Sequence, residues 1–91
     1  MAKILIFAQV EDSVKWEAGF RSHADLFRTM SITSQAFTTT TDNEVAICSE
    51  TSDLAKYMEV LNSQATADAM SFDGVKRETV KIFVLDKEVK L

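Results

Sequence analysis

Ala2-Lys3-Ile4-Leu5-Ile6-Phe7-Ala8-Gln9-Val10 decides the fold. At the period of two that an extended chain imposes, Ile4 and Ile6 point to one side and Leu5 and Phe7 to the other, so both faces are apolar. Glu11 and Asp12 close the run at once. It is too short to span a bilayer and lacks a signal-peptide apolar region with a small-residue cleavage site. It is predicted to be a strand covered on both sides.

Downstream, the period changes. Trp16, Phe20, His23, Phe27 and Met30 recur at spacings of four, three, four and three, which predicts one helix over residues 14–30. Its buried face carries the only Trp and the only His of the chain. Asp12 or Ser13 is placed to cap it, and Arg21, Asp25 and Arg28 are expected to form an ion-pair row on the opposite face. Residues 31–41, rich in Thr, Ser, Ile and Phe, are β-compatible, Asp42-Asn43 is a turn signal, and residues 44–51 resume as a strand, giving a hairpin. Ser52 or Asp53 caps a second helix carrying Leu54, Tyr57, Met58 and Leu61, which Asn62-Ser63 interrupts before a continuation with Ala65, Ala69 and Met70. Phe72-Asp73-Gly74-Val75 turns the chain into a last strand over residues 77–85, and residues 86–91 form a short polar tail.

Strand, helix, strand, strand, helix, strand is the split βαβ pattern of a ferredoxin-like α+β sandwich, with an antiparallel four-stranded sheet and the helices on one face. With no Pro and only Gly19 and Gly74, the chain offers no linker, and residues 1–91 are expected to form a single domain. The helices cover one face of the sheet, yet the first and last strands are apolar on both. The economical cover is the same face of a second copy, so a homodimer closed into an α+β barrel is expected.

A net charge of −4 argues against nucleic-acid and acidic-membrane partners, which want a basic surface. The lone Cys48 permits no intramolecular disulfide, which fits a reducing, cytoplasmic setting, and it reads as a buried, inert thiol. One His and one Cys fall short of a metal's usual three or four nitrogen and sulfur ligands, so no metal is expected. No nucleophile elbow, phosphate-binding glycine loop or dinucleotide fingerprint is present, and no cofactor is expected.

Residues 10–16, Val-Glu-Asp-Ser-Val-Lys-Trp, followed by Phe20 and His23, resemble the opening of dimeric α+β barrel proteins related to the antibiotic-biosynthesis monooxygenase domain. Asp42-Asn43-Glu44-Val45-Ala46-Ile47, Thr51-Ser52-Asp53-Leu54-Ala55-Lys56 and Ala65-Thr66-Ala67-Asp68-Ala69-Met70 are similar to the hairpin and second helix of that family, and the likeness runs from about Ile4 to Leu85. Such proteins often carry a glycine before the second strand, where this chain has Met30-Ser31-Ile32. The resemblance implies the fold, the dimer and a pocket between sheet and helices. It does not choose among oxygenase, haem-degrading, ligand-sensing and unassigned roles.

His23 is the candidate catalytic residue, as a general base or a ligand, against the plainer role of a His tied to a carbonyl or carboxylate at the sheet–helix boundary. Trp16 and Phe20 either line a ligand cavity or are simply core. The Tyr57 hydroxyl either donates to a bound phenol or quinone oxygen or, as favoured here, lies in water at the rim. Gly19 admits either a strand or a ligand beside His23. Three functions follow. The favoured one is a small dimeric barrel protein that binds an apolar or aromatic molecule. The others are a cofactor-free monooxygenase acting on a phenolic or quinol-type substrate, and a structural or interaction module.

Overall fold

A computed structural model describes residues 1–91. The elements run β1 (Ala2–Val10), α1 (Ser13–Arg21), α2 (Ala24–Thr29), β2 (Ile32–Thr39), β3 (Glu44–Thr51), α3 (Leu54–Leu61), α4 (Gln64–Phe72) and β4 (Val75–Leu85). The strands form one sheet in the order β2-β3-β1-β4, antiparallel at every junction. This is the expected ferredoxin-like α+β arrangement, with both crossovers made of broken helices.

Short side chains fix the helix starts. Asp12 accepts from the backbone N–H groups of Val14 and Lys15 at 2.9 and 3.2 Å, and Asp53 accepts from Lys56 N–H at 3.0 Å. The second crossover breaks at Asn62-Ser63, as expected, and Ser63 caps α4. The first crossover departs from expectation. In place of one helix over residues 14–30, the chain stops at Ser22 and restarts at Ala24. The Ser22 hydroxyl donates to the Gly19 carbonyl at 2.6 Å and its N–H to the same group at 2.9 Å, closing α1. The ion-pair row is broken with it: Arg21 pairs with Glu17 inside α1, and Arg28 with Asp25 inside α2.

Where the resembled family carries glycine, Ser31 takes the left-handed conformation itself (φ 58°). Its carbonyl accepts from Ser52 N–H at 3.1 Å, and the Thr51 hydroxyl lies 3.0 and 3.1 Å from the Met30 and Ser31 carbonyls. These bonds hold the turn that a glycine would take without strain. Asn43, also left-handed (φ 59°), accepts from Ser13 N–H through its side chain and from Val10 N–H through its carbonyl, tying the hairpin tip to the start of α1.

The core lies wholly between the helices and one face of the sheet. Ile4, Ile6, Met30, Tyr57 and Leu61 form one buried cluster, and Val10, Trp16, Phe20 and Val45 form another, with Phe27 and Ile47 packed against both. The opposite sheet face is bare. There the register sets Leu5 beside Cys48 and Phe83, Phe7 beside Ala46 and Lys81, and Lys3 beside Glu50 and Leu85. Phe7 and Phe83 meet edge to face while 42% and 48% exposed. Cys48 is free but half-buried on this face, because no helix covers it. No helix is long and apolar enough to cross a membrane.

Candidate functional site

Between the sheet and the helices lies a cavity of about 80 Å³. Ile6, Ala8, Val45 and Ile47 form its floor, Trp16, Phe20, Leu26 and Phe27 one wall, and Tyr57, Leu61 and Met70 the other. All four residues picked from the sequence, Trp16, Phe20, His23 and Tyr57, line it. The space exceeds the ~10–15 Å³ that a single water needs, and apolar cavities tend to stay dry and take apolar guests.

Trp16 and Phe20 are core and cavity wall at once. Their rings stack at 4.7 Å, Phe27 closes on Phe20 at 4.9 Å, and Phe37 from β2 meets both edge-on at 5.2 and 5.6 Å. Arg21 lays its guanidinium 5.0 Å above the Phe37 ring, a cation–π contact on the outer edge of the box. The aromatic box is therefore fixed from outside as well as inside.

Tyr57 corrects the sequence reading. Its side chain is buried (1% exposed) and not at a wet rim, because α3 sets it directly over the centre of the sheet. Burial pushes its hydroxyl up to about pKa 12, with hydrogen bonding to Ser49 pulling the other way. The phenol stays protonated in ordinary conditions. Ser49, 2% exposed on β3, also accepts from the Gln35 amide at 3.1 Å, so a short polar seam crosses the cavity floor.

His23 sits at the break between α1 and α2. Its Nε2 lies 2.8 Å from Oδ2 of Asp73, the residue that ends α4. Asp73 is 6% exposed, and its second oxygen, Oδ1, is buried with no hydrogen-bond partner. Gly19 explains how the carboxylate fits. A Cβ on Gly19 would stand 2.0 Å from Oδ1, so only glycine leaves the space. Gly19 thus makes room for neither a strand nor a ligand but for the carboxylate that holds His23. Gly74 (φ 76°) then turns the chain into β4. The ring is tied to a carboxylate, the plainer of the two roles weighed for His23, and it also lines the cavity.

Asp73 is the site residue that sequence reasoning missed. It stands fifty residues from His23 and looks like an ordinary Asp-Gly turn residue. The available signal was the lone His on an apolar face, which needs a polar partner from somewhere in the chain.

No protein-family profile matches the sequence, and no curated protein matches it. Solved structures do. Over 99% of this chain and 95% of that one, the fold superposes on SnoaB, a cofactor-independent oxygenase from Streptomyces nogalater, with a TM-score of 0.73 and 14% identity. The chain shares the fold of that oxygenase. A structure named as an antibiotic biosynthesis monooxygenase matches at TM-score 0.71 over 98% of this chain and all of that one, with 8% identity. A protein of unknown function from Nitrosomonas europaea matches at 0.69 and 14% identity, over 99% of this chain and 92% of that one. At such identities the likeness is one of fold, and one fold carries many functions.

Proposed function

We propose that this chain is a small ligand-binding protein of the antibiotic-biosynthesis-monooxygenase fold, which holds an apolar or aromatic molecule between its sheet and helices and works as a homodimer. The observation that carries the proposal is the cavity itself, a space of about 80 Å³ walled by stacked aromatic rings with few polar groups. The bare face supports the dimer: Leu5, Phe7, Ala46, Phe83 and Leu85 stand together on it, and contiguous apolar faces of this kind commonly mark interaction surfaces.

Native mass spectrometry of freshly purified protein tests both halves. Two chains plus a small molecule is the expected mass. A clean monomer would overturn the dimer, and failure to take up any small aromatic compound would overturn the cavity as a binding site.

One observation favours a catalytic version. The His23–Asp73 pair puts an imidazole held by a carboxylate into an apolar wall, an arrangement suited to taking a proton from a phenol whose anion then reacts with dioxygen. On this version His23→Ala abolishes turnover of phenolic substrates while leaving the dimer intact, and unchanged turnover rules it out.

A further inference from the structure

Asp73 is expensive to keep. It is 6% exposed and bonds His23 through one carboxyl oxygen while the other is buried without a partner, a state that buried polar groups rarely keep and that costs free energy. Its seat also requires glycine in the middle of α1, where alanine is the better helix former. Two unfavourable choices, on elements far apart in sequence, converge on one result: the His23 ring is held from its Nε2 side.

The consequence lies at the other nitrogen. When the imidazole is neutral, a carboxylate at Nε2 requires the proton to be there, which leaves Nδ1 with a free lone pair. The His23–Asp73 contact is the ring's hydrogen bond within the chain. Among the other polar groups of the wall, Gln35 donates to Ser49 and the Thr66 hydroxyl donates to the Val60 carbonyl at 2.6 Å, while Oδ1 of Asp73 is an acceptor without a partner.

We propose that Asp73, seated by Gly19, is a positioning residue that fixes His23 as the Nε2–H tautomer, so that Nδ1 is the hydrogen-bond acceptor for a ligand hydroxyl and the cavity selects hydroxyl-bearing rings over hydrocarbons of the same shape. This rests on the cavity being a binding site, as proposed above, and adds what its ligand must carry.

Phenol and toluene are the probes, since they share size and shape and differ in the hydroxyl. Their affinities are read at pH 8 from the fluorescence of Trp16, the chain's only Trp and part of the cavity wall. Because the chain has one His, a ¹⁵N spectrum reports His23 without overlap. In the unaltered protein, Nε2 is expected as the protonated nitrogen and Nδ1 as the bare one, with Nδ1 shifting on addition of phenol and not of toluene. In Asp73→Ala the ratio of phenol to toluene affinity is expected to fall, at most about five- to tenfold, which is the worth of one whole net hydrogen bond. A proton on Nδ1, or an unchanged ratio with both probes bound, overturns the inference and leaves the binding cavity standing. If neither probe binds, the cavity proposal and this one fall together. Should Asp73→Ala not fold, the tautomer and the phenol-induced shift in the unaltered protein decide alone.

Discussion

On the central strand β1 the two faces of the sheet have opposite fates, whereas on the edge strand β4 both faces are partly open, Ile82 and Val84 included. On β1, Ile4 is fully buried and Ile6 and Val10 nearly so, while Phe7, one residue on, is 42% exposed. Composition does not separate the faces, since both are rich in large apolar groups. What separates them is that α1 to α4 all return to one side. A strand apolar on both faces therefore states a requirement for two covers, and this chain supplies one. On the dimer proposed above, stability and assembly would fall to alternate residues of one strand.

The sharpest way to break that contrast is to remove a large side chain from the covered face. Trp16→Ala is expected to cost about 3–5 kcal/mol, by loss of buried area and of a ring stacked on Phe20. Small domains hold only about 5–15 kcal/mol in all, so urea unfolding should find the variant barely folded. A loss below about 1 kcal/mol would mean that the aromatic box is not core.

Alkali probes the same face without mutation. Unfolded, Tyr57 ionises near pH 10; folded, burial raises it to about 12. The folded state thus holds a proton that the unfolded state has lost, and stability, complete below pH 10, falls as the pH rises to 12, by up to about 2–3 kcal/mol. Tyr57→Phe should flatten that part of the pH–stability curve, and an unchanged curve in the variant would assign the loss to other groups.

Gly19→Ala ranks next. Alanine favours the helix by about 1 kcal/mol, but its Cβ occupies the space of the Asp73 carboxylate, and overpacking of this kind typically costs about 1–3 kcal/mol. A net loss is expected in thermal unfolding, whereas a gain would show that Asp73 moves aside freely.

The smallest effect on the fold should come from the bare face. Phe83→Ser is expected to change the stability of the isolated chain by less than about 1 kcal/mol while lowering its elution size from dimer to monomer in gel filtration. A cost comparable to that of Trp16→Ala, measured where the chain is monomeric, would erase the distinction between the faces.

Much of this architecture is legible in the residues. β3 spans Glu44–Thr51 as read, because Asp42-Asn43 marks the turn, and the break at Asn62-Ser63 shows as a polar gap in an apolar period. The break at Ser22-His23 was hidden for the opposite reason. The apolar spacing from Trp16 to Met30 runs straight through it, and neither Gly nor Pro stands at the joint, so periodicity favoured one helix where a serine hydroxyl bonded to the Gly19 carbonyl makes two. The left-handed Ser31 was likewise invisible, since the bonds that hold it come from Thr51 and Ser52, across the sheet. Within the site, Trp16, Phe20, His23 and Tyr57 follow from helical period, but the burial of Tyr57 depends on where α3 lands. Asp73 and the purpose of Gly19 depend on a contact between distant segments, which local pattern does not encode.

β1 lies in the middle of the sheet, paired on one side with β3 and on the other with β4, and Ile4 faces Val84 across that second seam. Of the four strands, the earliest made is thus the last to be completed. While the chain emerges from the ribosome, the hairpin of β2 and β3 has its partners early, but β1 keeps a raw hydrogen-bonding edge until residues 75–85 arrive. Through most of synthesis the most apolar segment of the protein waits for the strand at the far end of the chain, and in that interval it is open to pairing with another molecule.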